Sequence, residues 1–141
     1  MTLQSAPLLP VPTPERPEIL APAGDVPSFL AGLAAGADAI YLGLKNFSAR
    51  MQAENFGLTE LSRLTDLAHA SGARVYVAMN TLLKPDEPAQ AFRLAARLAR
   101  QVRPDGLIIQ DLALLDLARL YERMVMRRHT NGGYQNVVDE L

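Results

Sequence analysis

Apolar residues in this chain fall into two alternating patterns: short unbroken runs, and longer stretches in which they return every three or four positions. The first pattern is that of a buried strand and the second that of a helix with one inward face. The run Glu18-Ile-Leu-Ala-Pro-Ala-Gly24 predicts a strand and turn, with Asp25 placed to cap the helix that follows. From Val26 to about Ala35, Phe29, Leu30, Leu33 and Ala34 share a face, and Gly36 can close the last turn in a left-handed conformation. Ala39 to Leu44 predicts a second strand. A segment without clean period runs from Lys45 to Phe56, long for a βα connection, whose usual length is about 2–6 residues. Thr59 is placed to cap a second helix carrying Leu61, Leu64, Leu67 and Ala68 inward, ended by Gly72. Arg74 to Met79 predicts a third strand, and Asp86 a cap for a third helix with Phe92, Ala95, Ala99 and Val102 inward and Arg93, Arg97 and Arg100 outward. After a Pro104-Asp105-Gly106 turn, Leu107 to Ile109 predicts a fourth strand, with Asp111 capping a fourth helix that runs to about Met126.

Four β-α units in series imply a parallel sheet, because parallel neighbours need a return path that a helix fills. The fold class is α/β. The uniform order, with no visible switch point, favours a TIM-barrel-like arrangement, of which four units make half, over a doubly wound sheet. Residues 1–17 hold five of the ten prolines and are expected to form a flexible leader. The organisation expected is therefore a leader at 1–17, a half barrel at 18–126 and a polar tail at 127–141.

Composition narrows the chemistry. The 141 residues are 49% hydrophobic, enough for one domain with a real core. A formal charge of −1 provides no global field toward nucleic acid or anionic lipid. With no cysteine, the chain itself offers no disulfide, thiolate zinc site, iron-sulfur ligand or cysteine nucleophile. The first apolar stretch, Ala6 to Val11, is short, broken by prolines and without a basic flank, so neither signal peptide nor membrane anchor is expected, and a cytoplasmic location follows by default. The Gly32 and Gly36 pair lacks the surrounding apolar length of a membrane dimer motif and reads as close helix-to-strand packing.

In parallel barrels the loops after the strands converge on one face. The candidate ligand-binding residues at those positions are Ser48, Arg50, Asn55, Asn80, Thr81, Gln110 and Asp111. Arg50 suits a two-pronged contact to carboxylate or phosphate, and Asn80 and Gln110 could orient an amide or a base edge. Asn55 and Asp111 serve equally as helix caps, and Arg50 as a solvated loop charge. The two histidines, His69 and His129, fall on a helix face and in the tail, away from strand C-terminal ends, so no protease triad assembles and no metal cluster is visible. The stripe Arg93, Arg97, Arg100 reads as the wet face of an amphipathic helix, and the smaller Arg123, Arg127, Arg128 cluster lacks the interleaved aromatics of a base-stacking surface.

Five strings in order resemble the N-terminal part of the peptidase U32 (collagenase-like protease) family: Glu18-Ile-Leu-Ala-Pro-Ala-Gly24, Gly36-Ala-Asp-Ala-Ile-Tyr-Leu-Gly43, Phe47-Ser-Ala-Arg50 with Asn55-Phe56, Val75-Tyr-Val-Ala-Met-Asn-Thr-Leu-Leu83, and Asp105-Gly-Leu-Ile-Ile-Gln-Asp111. The resemblance covers residues 18 to about 120. It implies a (β/α) barrel in the parent protein, and either peptidase activity or oxygen-independent hydroxylation of tRNA, rRNA or a quinone precursor. It places iron-sulfur clusters only in full-length relatives, on cysteines beyond the matched region. Past about Leu120 the sequence departs from the family pattern, as a truncation or altered reading frame would produce. The expectation is thus a truncated, collagenase-like U32 protein that is not catalytically complete alone. Two alternatives stand beside it: a fragment of a hydroxylation factor, and a non-enzymatic half barrel that self-associates through its open sheet edges. A protein, peptide or RNA substrate fits the first two readings.

Overall fold

A computed structural model of the chain describes residues 16–44 and 56–119. Four strands, β1 (Leu20–Ala23), β2 (Ala39–Gly43), β3 (Arg74–Met79) and β4 (Gly106–Ile109), form one parallel sheet in the order β1-β2-β3-β4. Helices α1 (Val26–Ala34), α2 (Leu58–Ala70) and α3 (Pro88–Arg97) separate them, and residues 112–119 begin α4. This is a four-stranded half of a TIM-barrel-like fold, as the alternating pattern predicts. Residues 1–15 of the leader, the 127–141 tail and the expected helix beyond residue 119 lie outside the described residues, while Arg16 and Pro17 are described and exposed.

Strand register sorts the side chains into two faces. Ala21 pairs with Ile40, Ala23 with Leu42, Ile40 with Val75, and Leu42 with Val77. These residues turn toward the helices and join Phe29, Leu61, Ala68, Ala91, Leu98, Val102 and Leu114 in one continuous core. The opposite face, the interior of a closed barrel, carries Leu20, Pro22, Tyr41, Tyr76 and Ile108, all exposed or half-buried. Two close approaches fix the layers. A Cβ on Gly32 would lie 3.3 Å from Ile40 Cδ1, so glycine lets α1 sit down on the sheet, and one on Gly106 would lie 3.1 Å from Tyr76 Cδ1, so the tyrosine ring covers β4 there.

Several local expectations needed correction. Helix α2 is capped by Gly57 and has Thr59 inside its first turn; α3 is capped by Glu87, not Asp86, with no side-chain capping bond. Leu30, Ala34 and Leu67, expected inward, are exposed, so the buried stripes of α1 and α2 are narrower than a full apolar face. Helix α3 does not run on as an α-helix. Its last turn, Leu98–Val102, is a π-helical turn closed by Arg103 N–H to Leu98 O at 2.9 Å. The wider turn buries Leu98 and Val102 and leaves Ala99 in solvent, where a regular helix with Ala95 and Ala99 inward was expected.

The N-terminal ends of the strands are pinned twice in the same way. Asp38, one residue before β2, accepts from Ile19 N–H at 2.7 Å at the start of β1; Asp105, one residue before β4, accepts from Val75 N–H at 2.7 Å in β3. Arg16 adds an ion pair to Asp38 at 2.5 Å, and Arg74 of β3 reaches across β2 to Glu18.

Ile19 O accepts from Ala39 N–H at 3.1 Å, so Ile19 faces β2 and alternation turns the backbone groups of Leu20 and Pro22 to the free side of β1. Proline is tolerated there because that edge pairs with nothing among the described residues.

Candidate functional site

The C-terminal ends of β3 and β4 bring three of the candidate residues together. Met79 and Ile109 are the last paired residues, so Asn80 and Gln110 follow in register at adjacent strand ends. Asn80 and Thr81 are half-buried and Gln110 is exposed. Two amide side chains and a hydroxyl can supply both donors and acceptors to a planar polar ligand, but none of them is a nucleophile or a base at neutral pH. Ser48, Arg50 and Asn55 lie outside the described residues.

Asp111, the fourth candidate among the described residues, is bonded to backbone on both oxygens. Its Oδ1 accepts from Ala113 N–H at 2.9 Å and caps α4, while Oδ2 accepts from Leu83 N–H at 2.9 Å in the loop after β3. One carboxylate thus ties two neighbouring strand-end loops together. These two N–H groups, Leu83's first, hold its carboxyl below the usual carboxylate range. Capping is the structural half of what the sequence suggested for this residue; the tether to Leu83, 28 positions away, was not legible. Asp25 likewise caps α1, accepting from Ser28 N–H at 2.7 Å, and the Ser28 hydroxyl and N–H lower its pKa.

The opposite, N-terminal face holds His69, in the last turn of α2, with Nε2 2.8 Å from Asp105 Oδ2. Partial burial works against ionisation of Asp105, but the Val75 N–H and His69 outweigh it and lower its pKa. Asp38 is held low chiefly by the Ile19 N–H, against desolvation, with help from Arg16. The Ser71 hydroxyl nearby in the chain donates to Leu67 O at 3.0 Å and so is not aimed at His69. In parallel barrels this end is the one that serves stability. The Asp38 and Asp105 pins were missed in the sequence, although each shows as an aspartate directly before an apolar run.

Among the described residues no three His, Cys, Asp or Glu side chains gather as metal ligands would, and no helix is long and apolar enough to cross a membrane. An iron-sulfur cluster of the kind implied for full-length relatives does not fit the residues of this chain, which contains no cysteine to ligate it.

Comparison with known proteins places this geometry. The model of peptidase family U32 matches residues 24–136, running past Leu120, where the resemblance of the quoted strings stops. The 23S rRNA 5-hydroxycytidine C2501 synthase of Escherichia coli is 40% identical over 102 residues, 72% of this chain and 15% of that protein. An uncharacterised protease of Methanocaldococcus jannaschii is 32% identical over 72% of this chain and 25% of its own length. The tRNA hydroxylation protein P of Haemophilus influenzae is 32% identical over 74% of this chain and 22% of its own length. Most of the named relatives are tRNA or rRNA hydroxylation proteins rather than peptidases, and this chain spans between 15% and 33% of their lengths. No solved structure matches. With the family's model covering most of the chain, and with the half barrel and strand-end loops that the resemblance implied, this protein belongs to peptidase family U32.

Proposed function

We propose that the chain is the N-terminal half-barrel portion of a U32 factor for hydroxylation of RNA, with the C-terminal strand ends as its ligand face, in preference to a peptidase. The observation that carries this is the 40% identity to an rRNA hydroxycytidine synthase. The chemistry at the strand ends is compatible with it. Asn80 and Gln110 can read the edge of a base by paired donor and acceptor contacts, and Thr81 adds a hydroxyl. Arg50, Ser48 and Asn55, between β2 and α2 in the sequence, are proposed to join them, the arginine on phosphate. Peptide hydrolysis, in contrast, needs a nucleophile beside a base. The His69 and Asp105 pair lies at the other end of the strands; the Ser71 hydroxyl near it is bonded to Leu67 O, and Thr65, one turn before His69, is wholly buried.

The proposal is tested by grafting. The matched segment of the E. coli synthase is replaced by the corresponding segment of this chain and expressed in a strain lacking the synthase, and the nucleosides of 23S rRNA are analysed by mass spectrometry. Restored 5-hydroxycytidine is the expected result. Cleavage of gelatin or collagen by the purified chain, with no hydroxycytidine from the graft, would return the peptidase reading.

A further inference from the structure

An aspartate stands at each end of β4 and accepts a backbone N–H from β3 or from the loop that follows it. Before the strand, Asp105 accepts from Val75 at 2.7 Å; after it, Asp111 accepts from Leu83 at 2.9 Å. The first bond lies at the end of the sheet that serves stability. The second lies where Asn80, Thr81 and Gln110 come together, and it closes a ring. One side of the ring is the pairing of Met79 with Ile109, and the other is the bond from Leu83 to Asp111. Between these two fixed points run Asn80, Thr81 and Leu82 on one segment and Gln110 on the other. Past the ring the chain closes on itself: Lys84 N–H donates to Glu87 Oε2 at 2.8 Å and Glu87 N–H to Lys84 O at 3.0 Å, a turn that leads into α3. Asp111 Oδ1 meanwhile accepts from Ala113 N–H at 2.9 Å, so the carboxylate is anchored to α4 while it grips the loop.

We propose that Asp111 is the positioning residue of this strand-end face: its hold on the Leu83 N–H sets where Asn80 and Thr81 stand relative to Gln110, and so which planar polar edge the face accepts, a role that rests on the reading of these three side chains as ligand contacts. The physical reason is the narrow tolerance of hydrogen bonds. Donor and acceptor lie about 2.7–3.2 Å apart, so a base edge that must meet amides on two strand ends is recognised only if the distance between those ends is fixed. The sheet ladder fixes it as far as Met79 and Ile109, and there the ladder stops. A carboxylate bridges the gap with a charge-assisted bond, roughly twice as strong as a neutral one. Asp111 itself touches no ligand; it acts through the loop. The Leu83 side chain also packs against the core, so releasing its N–H loosens the aim of the loop without unfolding it.

Asp111→Ser and Asp111→Asn test this role, because serine and asparagine both cap helices and so keep α4. Serine is too short to reach Leu83 as well, and asparagine offers one oxygen, with an amide NH2 group in place of the other. In the whole 141-residue chain, hydrogen exchange at the Leu83 amide is expected to quicken roughly tenfold or more. The side-chain amide NMR signals of Asn80 and Gln110 are expected to shift with it. Asp105→Ala is the control: it removes the matching bond at the opposite end, frees the Val75 amide, and leaves Leu83, Asn80 and Gln110 as they were. In the synthase graft, both Asp111 variants are expected to lower the 5-hydroxycytidine fraction severalfold at equal protein level, and Asp105→Ala to leave it unchanged. Three results would each overturn the proposal: a Leu83 amide still protected, with Asn80 and Gln110 signals unmoved, in both Asp111 variants; full modification by a graft in which Leu83 is released; or an equal loss from Asp105→Ala, which marks a merely structural role. An unsubstituted graft that makes no hydroxycytidine counts against the hydroxylation reading instead, and the positioning role is then decided by the exchange and NMR results on the chain itself.

Discussion

Thr65 sits wholly buried on the inner face of α2, and its Oγ1 makes no hydrogen bond. A buried hydroxyl without a partner has lost water and gained nothing, while valine has the same shape with a methyl in its place. Thr65→Val should therefore stabilise the fold by about 1 kcal/mol, read as a rise in the urea midpoint at constant slope. A fall in the midpoint would mean that the hydroxyl is satisfied in solution. Asp111 teaches a complementary lesson about polar side chains. Its place before an apolar run made it legible as a cap, and its place at a strand end made it legible as a ligand residue. The structure shows the cap, through the Ala113 N–H, and adds a bond from the Leu83 N–H, which belongs to a loop that only the tertiary fold brings near.

Helices and strands follow the same division between local and distant causes. The strands were readable because β2 and β3 are nearly continuous apolar runs, and α1 because Asp25 stands at its start and Gly36, at φ 82°, just beyond its end. The start of α2 was misplaced because Thr59 has the chemistry of a cap while Gly57 has the extended backbone of one. The π-helical end of α3 could not be read at all: Leu94, Leu98 and Val102 satisfy a regular helix equally well, and the extra residue is accommodated only when packing against α2 selects Leu98 over Ala99. At the proposed ligand face, Asn80, Thr81 and Gln110 were legible by position after their strands, but their adjacency depends on the pairing of β3 with β4. The same π turn ends on Arg103 at φ 56°, the one left-handed non-glycine among the described residues. Its ion pair with Asp66, 3.5 Å long between side chains 70% and 60% exposed, offsets little of that strain. Arg103→Gly is expected to stabilise by roughly 0.5–1 kcal/mol, measured by thermal unfolding; destabilisation would show that the ion pair outweighs the backbone.

Acid is the condition to which the molecule as a whole should be most sensitive. Asp25, Asp38, Asp105 and Asp111 all have lowered pKa values, because each carboxylate accepts backbone N–H groups that the unfolded chain does not offer. A carboxyl whose folded pKa lies below its unfolded value, about 3.9, adds stability that is complete above that value and is lost as pH falls through the folded pKa. Circular dichroism should therefore show stability level near neutrality and falling below about pH 4. Asp105→Asn, which cannot ionise, should lower stability at neutral pH and make the acid loss shallower. An unchanged acid profile in that variant would remove Asp105 from the account.

Pro22 carries a last consequence, for solubility. An open parallel sheet with apolar rims is in principle a seed for fibrils, since each added strand presents a fresh edge. On the free side of β1 the chain turns a proline outward, so an incoming strand finds one rung without a donor, and β4 offers only four residues. Stacking of further strands on this side of the sheet is interrupted at its first step.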